Sequence, residues 1–166
     1  MAPTSLKTGR GEFHRSNRLP KTHRLKRRKL IQSLFDQGNP DTNTISSGSV
    51  RLLFRFTASD SVGKSVPVQV GFAVRKHSGN AAVRNRTKRI LREVYRTNQH
   101  PLIEALADKR DVLTLMIVLR HLPQDDSVVR RDLQEALSRL AAAIDGTRDS
   151  IGDTGLFPET KGLKRN

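Results

Sequence analysis

The stretch GNAAVRNRTKRILREVYR, residues 79 to 96, sets Asn85 between Arg84 and Arg86 and follows them with Lys88, Arg89 and Arg92. On a helix, Arg84, Lys88 and Arg92 fall one above another, while Asn85, Arg89, Arg92 and Arg96 form an overlapping row. Glu93 is the one acid in the stretch, so like charges face each other at i and i+4 and repel. A helix built only for packing avoids that arrangement. Phosphates remove the repulsion and release counterions on binding. Arginine's planar fork can take two phosphate oxygens at once, and an Asn amide both donates and accepts. The chemistry this stretch can do is to hold a polyanion.

Hydrolytic or redox chemistry finds less support. His14, His23, His77, His100 and His121 are scattered, without HxxxH or HExxH spacing. Asp125 and Asp126 could hold a divalent ion, but they stand where a helix N-terminus favours negative charge, and capping is the simpler reading. No phosphate-binding glycine loop is present, Ser78 has no base partner in the local sequence, and the chain has no cysteine. The residues describe a binding protein.

The whole chain agrees. Among 166 residues, 31 Lys and Arg stand against 16 Asp and Glu, a formal charge of +15. That balance calls for an anionic partner, with nucleic acid the best fit. The longest apolar run, VLTLMIVL at 112 to 119, is far shorter than the ~20 residues of a membrane-spanning helix, so no membrane partner is expected. The N-terminal residues lack the apolar stretch of a secretory signal; their Arg-rich, acid-poor composition also fits an organelle transit peptide. The expected location is cytoplasmic.

The basic stretch needs a scaffold, and hydrophobic periodicity outlines one. Residues 1–22 have no sustained period and read as a flexible basic arm. From His23, Leu25, Leu30, Ile31, Leu34 and Phe35 share one helical face up to Gly38, a C-cap candidate. SVRLLFRFTA (49 to 58) alternates as a strand, with Val50, Leu52, Phe54 and Phe56 on one face and Arg51, Leu53, Arg55 and Thr57 on the other. DSVGKS reads as a hairpin-like link into VPVQVGFAVRK, whose second face, with Gly71 and Ala73, leaves room for a ligand or another backbone. A short extra strand fits near Thr44 to Ser46.

Asn80 can cap the basic helix, with Val83, Thr87, Ile90, Leu91 and Val94 as its core stripe. A short helix over HPLIEALADK, the strand DVLTLMIVLR and a helix ending by Gly146, with Val129, Leu133, Ala136, Leu137 and Leu140 inward, complete the domain of residues 23–143. Residues 144–166 read as a flexible tail. The expected fold is an α/β (α+β) sandwich in αβββαβα order: one mixed, mostly antiparallel sheet of about four strands with three main helices.

The segment VGFAVRKHSGNAAVRNRTKRILRE, Val70 to Glu93, resembles the protein subunit of bacterial ribonuclease P. Its motif falls, without a gap, on Lys76, Gly79, Asn80, Ala81, Arg84, Asn85, Arg86, Lys88 and Arg89. RLKRRKLIQSLFDQG at 24 to 38 is similar to that family's first helix. His77 stands where the family usually has a second Lys, Arg75 where a small Ser is common, and Ser78 where an apolar residue is frequent.

The resemblance implies a left-handed βαβ crossover through the basic helix, against the general right-handed rule. It further implies that the RNA subunit performs hydrolysis with Mg2+ bound mainly by RNA, and that the protein supplies no catalytic residue. Arg84, Asn85, Arg86, Lys88, Arg89 and Arg92 are then expected to grip the catalytic RNA. Ile31 and Phe35, with Phe54, Phe72 and Lys76 as sheet-side contributors, are expected to line a cleft for the single-stranded 5′ leader of precursor tRNA. Phe54 and Phe72 also fit the alternating core face. DNA is not an expected partner. A structural rRNA-binding or ribosome-assembly protein is the alternative, and a protein-only nuclease a third.

Overall fold

The computed structural model describes residues 19–62 and 66–146. The arm expected at 1–22 and the tail expected at 144–166 lie outside the described residues for 1–18 and 147–166. The elements run α1 (Arg28–Phe35), β1 (Asn43–Ser47), β2 (Val50–Thr57), the single turn α2 (Ser59–Val62), β3 (Val68–Val74), α3 (Ala81–Asn98), α4 (His100–Ala105), β4 (Val112–Leu119) and α5 (Asp126–Gly146). The strands form one sheet in the order β1-β2-β4-β3, with β3 and β4 parallel and the other pairs antiparallel. This is the mixed four-stranded α+β architecture expected from the periodicity.

Strand parity decides what each face of the sheet meets. Val50, Leu52, Phe54, Val68, Val70, Leu113, Leu115, Ile117 and Leu119 point into one core with Leu91, Val94 and Tyr95 of α3, Leu102 of α4, and Leu133, Leu137 and Leu140 of α5. Alternate positions on those strands face the other way. There Met116 is buried with Leu25 and Leu34, and Leu30, Ile31, Leu53, Ala73 and Val118 pack around them. β4 is buried nearly throughout because both of its faces are covered.

Four local expectations change. The first helix begins at Arg28 instead of His23, because Lys21–His23 form a 3-10 turn and Leu25 N–H donates to the Val70 carbonyl at 2.9 Å. Sheet pairing at Arg24 and Val70 competes with helix there and wins. The link between β2 and β3 is not a hairpin, since β4 lies between them. Gly71 leaves no ligand space: a Cβ there would come within 2.7 Å of Met116 Cε. The folded unit also exceeds 23–143, with Leu19 and Ile144 both in the core.

A polar staple fixes the β1–β2 turn. Gly48 holds φ at +49°, and the Asp132 carboxylate fills the space beneath it. That carboxylate accepts from both the backbone N–H and the hydroxyl of Ser49 at 2.8 Å. Burial pushes the Asp132 pKa up, but the Ser49 hydrogen bonds and Arg131 together outweigh it and hold the acid below its ordinary value.

Candidate nucleic-acid interface

α3 starts as its sequence predicts. The Asn80 side chain accepts from Val83 N–H at 2.9 Å, satisfying one otherwise unpaired donor of the first turn. Thr87, Leu91, Val94 and Tyr95 are buried, tying the helix to the sheet. Tyr95 replaces Val83 in the expected stripe; Val83 is exposed.

The cations on the outer side of α3 fall into three rows. Arg84 and Arg92 lean toward β3. Arg84 Nη1 donates to the carbonyls of Lys76 at 3.0 Å and Gly79 at 2.6 Å, gripping the loop that leads into the helix. The Arg92 guanidinium lies 5.8 Å from the Phe72 ring centroid, a cation–π distance. Lys88, half-buried, falls between them on the same row.

On the opposite flank, Arg86 pairs with Asp126 of α5 at 2.8 Å. Both side chains are well exposed, so the pair is worth only about 0–1 kcal/mol and a phosphate can displace it. Glu93 is held below its ordinary pKa by its hydrogen bond from Arg96. Asn85 and Arg89 are exposed between the two flanks. The row is thus a cationic ridge whose β3-side arginines are already oriented, which lowers the ordering cost of gripping phosphates.

The expected leader-site residues do not come together. Ile31 and Phe35 are on α1, Phe35 being 48% exposed. Phe54 is 2% exposed within the core on the far face of the sheet, so its side chain is not available beside α1. Phe72 shares that far face and packs edge-on against Tyr95, with ring centroids 5.9 Å apart. Its position under Arg92 makes it a support for the ridge instead of a cleft wall. Lys76 lies exposed in the loop after β3.

The face beside α1 is instead floored by Leu53, Ala73 and Val118, all partly exposed, with Arg51 exposed on the same parity as Leu53. Strand alternation was the signal for them, since Phe54 shares parity with buried Val50 and Leu52. Asp125 caps α5, accepting from Ser127 N–H at 3.0 Å, and these hydrogen bonds lower its pKa. Among the described residues, no group of three or more His, Cys, Asp or Glu could hold a metal ion. No helix among them is long and apolar enough to cross a membrane.

The family model described as Ribonuclease P matches residues 19–141. The chain belongs to the ribonuclease P protein family. It is 32% identical over 129 residues to the ribonuclease P protein component of Porphyromonas gingivalis, covering 76% of this chain and 88% of that one. A Chlorobium phaeobacteroides ribonuclease P protein component is 37% identical over 87 residues, 52% of this chain and 57% of that one. A solved Staphylococcus aureus RNase P protein mutant superposes with a TM-score of 0.51 at 16% identity, covering 72% of this chain and 89% of that one, a likeness of fold. Ribonuclease P membership gives the protein a role in the tRNA-processing ribonuclease complex and an RNA partner. The ribosome-assembly alternative is not favoured.

Proposed function

We propose that the protein is the non-catalytic, RNA-binding subunit of a cytoplasmic ribonuclease P ribonucleoprotein. The observation that carries this reading is the α3 ridge: the family motif's Arg84, Asn85, Arg86, Lys88 and Arg89, continued by Arg92, on the outer side of a helix, with Asp126 and Glu93 as counter-charges. In this reading the ridge anchors the catalytic RNA, whose bound Mg2+ ions activate the water that cuts precursor tRNA. The protein's own contribution is affinity and positioning.

The partly open face beside α1 would receive the single-stranded 5′ leader. Ile31 and Phe35 offer apolar and aromatic surface over Leu53, Ala73 and Val118, and Lys76 and Arg51 supply charge toward phosphates. Stacking of an unpaired base is sequence-tolerant because every base has a π face. Contact with the leader would favour precursor over mature tRNA.

The test is reconstitution. Protein with its catalytic RNA should cleave precursor tRNA at low Mg2+, and protein alone should not. Arg86→Ala with Arg89→Ala should weaken assembly with the RNA. Phe35→Ala should leave assembly intact and reduce the preference for precursor over mature tRNA by about 5- to 100-fold, the loss of one stack. Cleavage by RNA-free protein, or unchanged assembly in the folded double variant, would overturn the reading.

A further inference from the structure

We propose that Arg84 is a positioning residue: it clamps the loop between β3 and α3 and so fixes Lys76 for a phosphate of the precursor's 5′ leader. This rests on the RNA-subunit reading above and deepens it, setting Arg84 apart from the ridge cations that grip catalytic RNA. The clamp is a side chain of α3 closing on the backbone that leads into the helix. Arg84 Nη1 donates to the Lys76 carbonyl at 3.0 Å and the Gly79 carbonyl at 2.6 Å, the two ends of the stretch 76–79.

The rest of the loop is shaped around that contact. Arg75 N–H donates to the Leu119 carbonyl at 3.2 Å, continuing the β3–β4 pairing, and Ser78 N–H closes a turn onto the Arg75 carbonyl at 2.9 Å. Gly79 then takes φ +80°, a left-handed conformation that suits glycine. A Cβ there would stand 3.1 Å from Val83 Cγ1 and 3.2 Å from Leu122 Cδ1, so the loop lies close against α3 and the β4–α5 connection. Lys76 is the group this arrangement displays. It is exposed, it enters no ion pair among the described residues, and residues 75–80 contain no acid to repel a phosphate. Holding its backbone in place beforehand lowers the ordering cost of binding.

Arg84 differs from its neighbours on the ridge. It is half-buried with one terminal nitrogen turned onto carbonyls, whereas Asn85, Arg86 and Arg89 are exposed. Arg86 is paired with a surface carboxylate, and a phosphate there replaces one anion by another. A phosphate that took over Arg84 Nη1 would have to break charge-assisted bonds to the backbone and release the loop. The guanidinium therefore serves RNA through the residue it holds.

Charge-neutral variants of the full-length protein, reconstituted with catalytic RNA, test this. The affinities of the holoenzyme for precursor and for mature tRNA give its preference for the leader. Arg84→Gln and Lys76→Gln should each lower that preference by about 2- to 5-fold, the worth of one exposed charge contact. The double variant should lose no more than either alone, because Lys76 without the clamp is no longer held; independent contacts would multiply their losses. With catalytic RNA alone, Arg89→Gln should flatten the log–log salt slope by about 1, and Arg84→Gln by less than half of that. Hydrogen exchange at the Ser78 amide should quicken in Arg84→Gln while that at Leu91 stays as it is, with circular dichroism checking the fold.

Multiplied losses in the double variant, or a slope flattened as far by Arg84→Gln as by Arg89→Gln, would make Arg84 a direct phosphate contact and overturn this inference. Unchanged Ser78 exchange, or an unchanged leader preference in Arg84→Gln, would also overturn it and leave the RNA-subunit reading standing. A wild-type holoenzyme that binds precursor and mature tRNA alike would defeat the leader reading and this inference together.

Discussion

On one face of the sheet, side chains from four strands meet three helices, and Leu52, Leu91, Leu102, Leu115, Leu133 and Leu140 are fully or almost fully buried there. On the other face, among the described residues, a single helix of eight residues covers the strands, and only Leu25, Leu34 and Met116 are buried in its cluster. The first face encloses enough apolar surface to hold the domain together. The second leaves Phe35, Ile31, Leu53, Ala73 and Val118 partly open, available to a ligand. Most of the apolar burial, and with it the stability, thus belongs to the first face, and the α3 ridge can carry repelling charges because its inner side packs there.

The largest expected effect lies on the closed face. Leu133→Ala removes a fully buried side chain among α3, α5 and the sheet and should cost about 2–5 kcal/mol in urea denaturation. Ile31→Ala, on the open face, should cost clearly less. Equal losses would break that asymmetry.

Next comes the staple between α5 and the β1–β2 turn. Asp132→Ala leaves the buried Ser49 donors unpaired and should cost about 1–3 kcal/mol, with faster amide exchange at Ser49. A neutral result would mean that apolar packing alone fixes the turn.

The smallest effect concerns His23, in the 3-10 turn ahead of α1. Burial lowers the His23 pKa below 6.5, so the unfolded chain binds protons that the folded chain resists. His23 therefore costs no stability above about pH 6.5 and should reduce it progressively as the pH falls below that value. Thermal melts of His23→Gln should lack this part of the acid loss. Parallel pH profiles for the two proteins would show that His23 does not couple protonation to stability.

Much of the fold was legible in the chain. Alternation in 49 to 58, the apolar run at 111 to 120, the Asn80 and Asp125 caps, and the inward stripe of α5 are local patterns, and each is present in the structure. The strand order was not legible, because pairing β3 to β4 instead of β2 depends on contacts distant in sequence. Phe54 and Phe72 fitted both the cleft and the alternating core face, and the structure puts them on the core face. Their aromatic character suits base stacking, but the face to which their parity sends them is filled by helices.

By itself the sequence determined the charge, the helix that carries it and the Gly-Asn-Ala to Lys-Arg motif, since these depend on residue type and on spacing within a few turns. Tertiary structure decided which arginines are already held. Arg84 meets the loop carbonyls, Arg92 meets Phe72, and Arg86 meets Asp126 at the start of α5. Only folding brings those partners to the ridge, and only folding sends the equally basic start of α1 to the other face of the sheet. Hydrophobic burial makes that choice: Leu25 and Leu34 go to Met116, Leu91 and Val94 go to Leu115, and the charges follow their backbones.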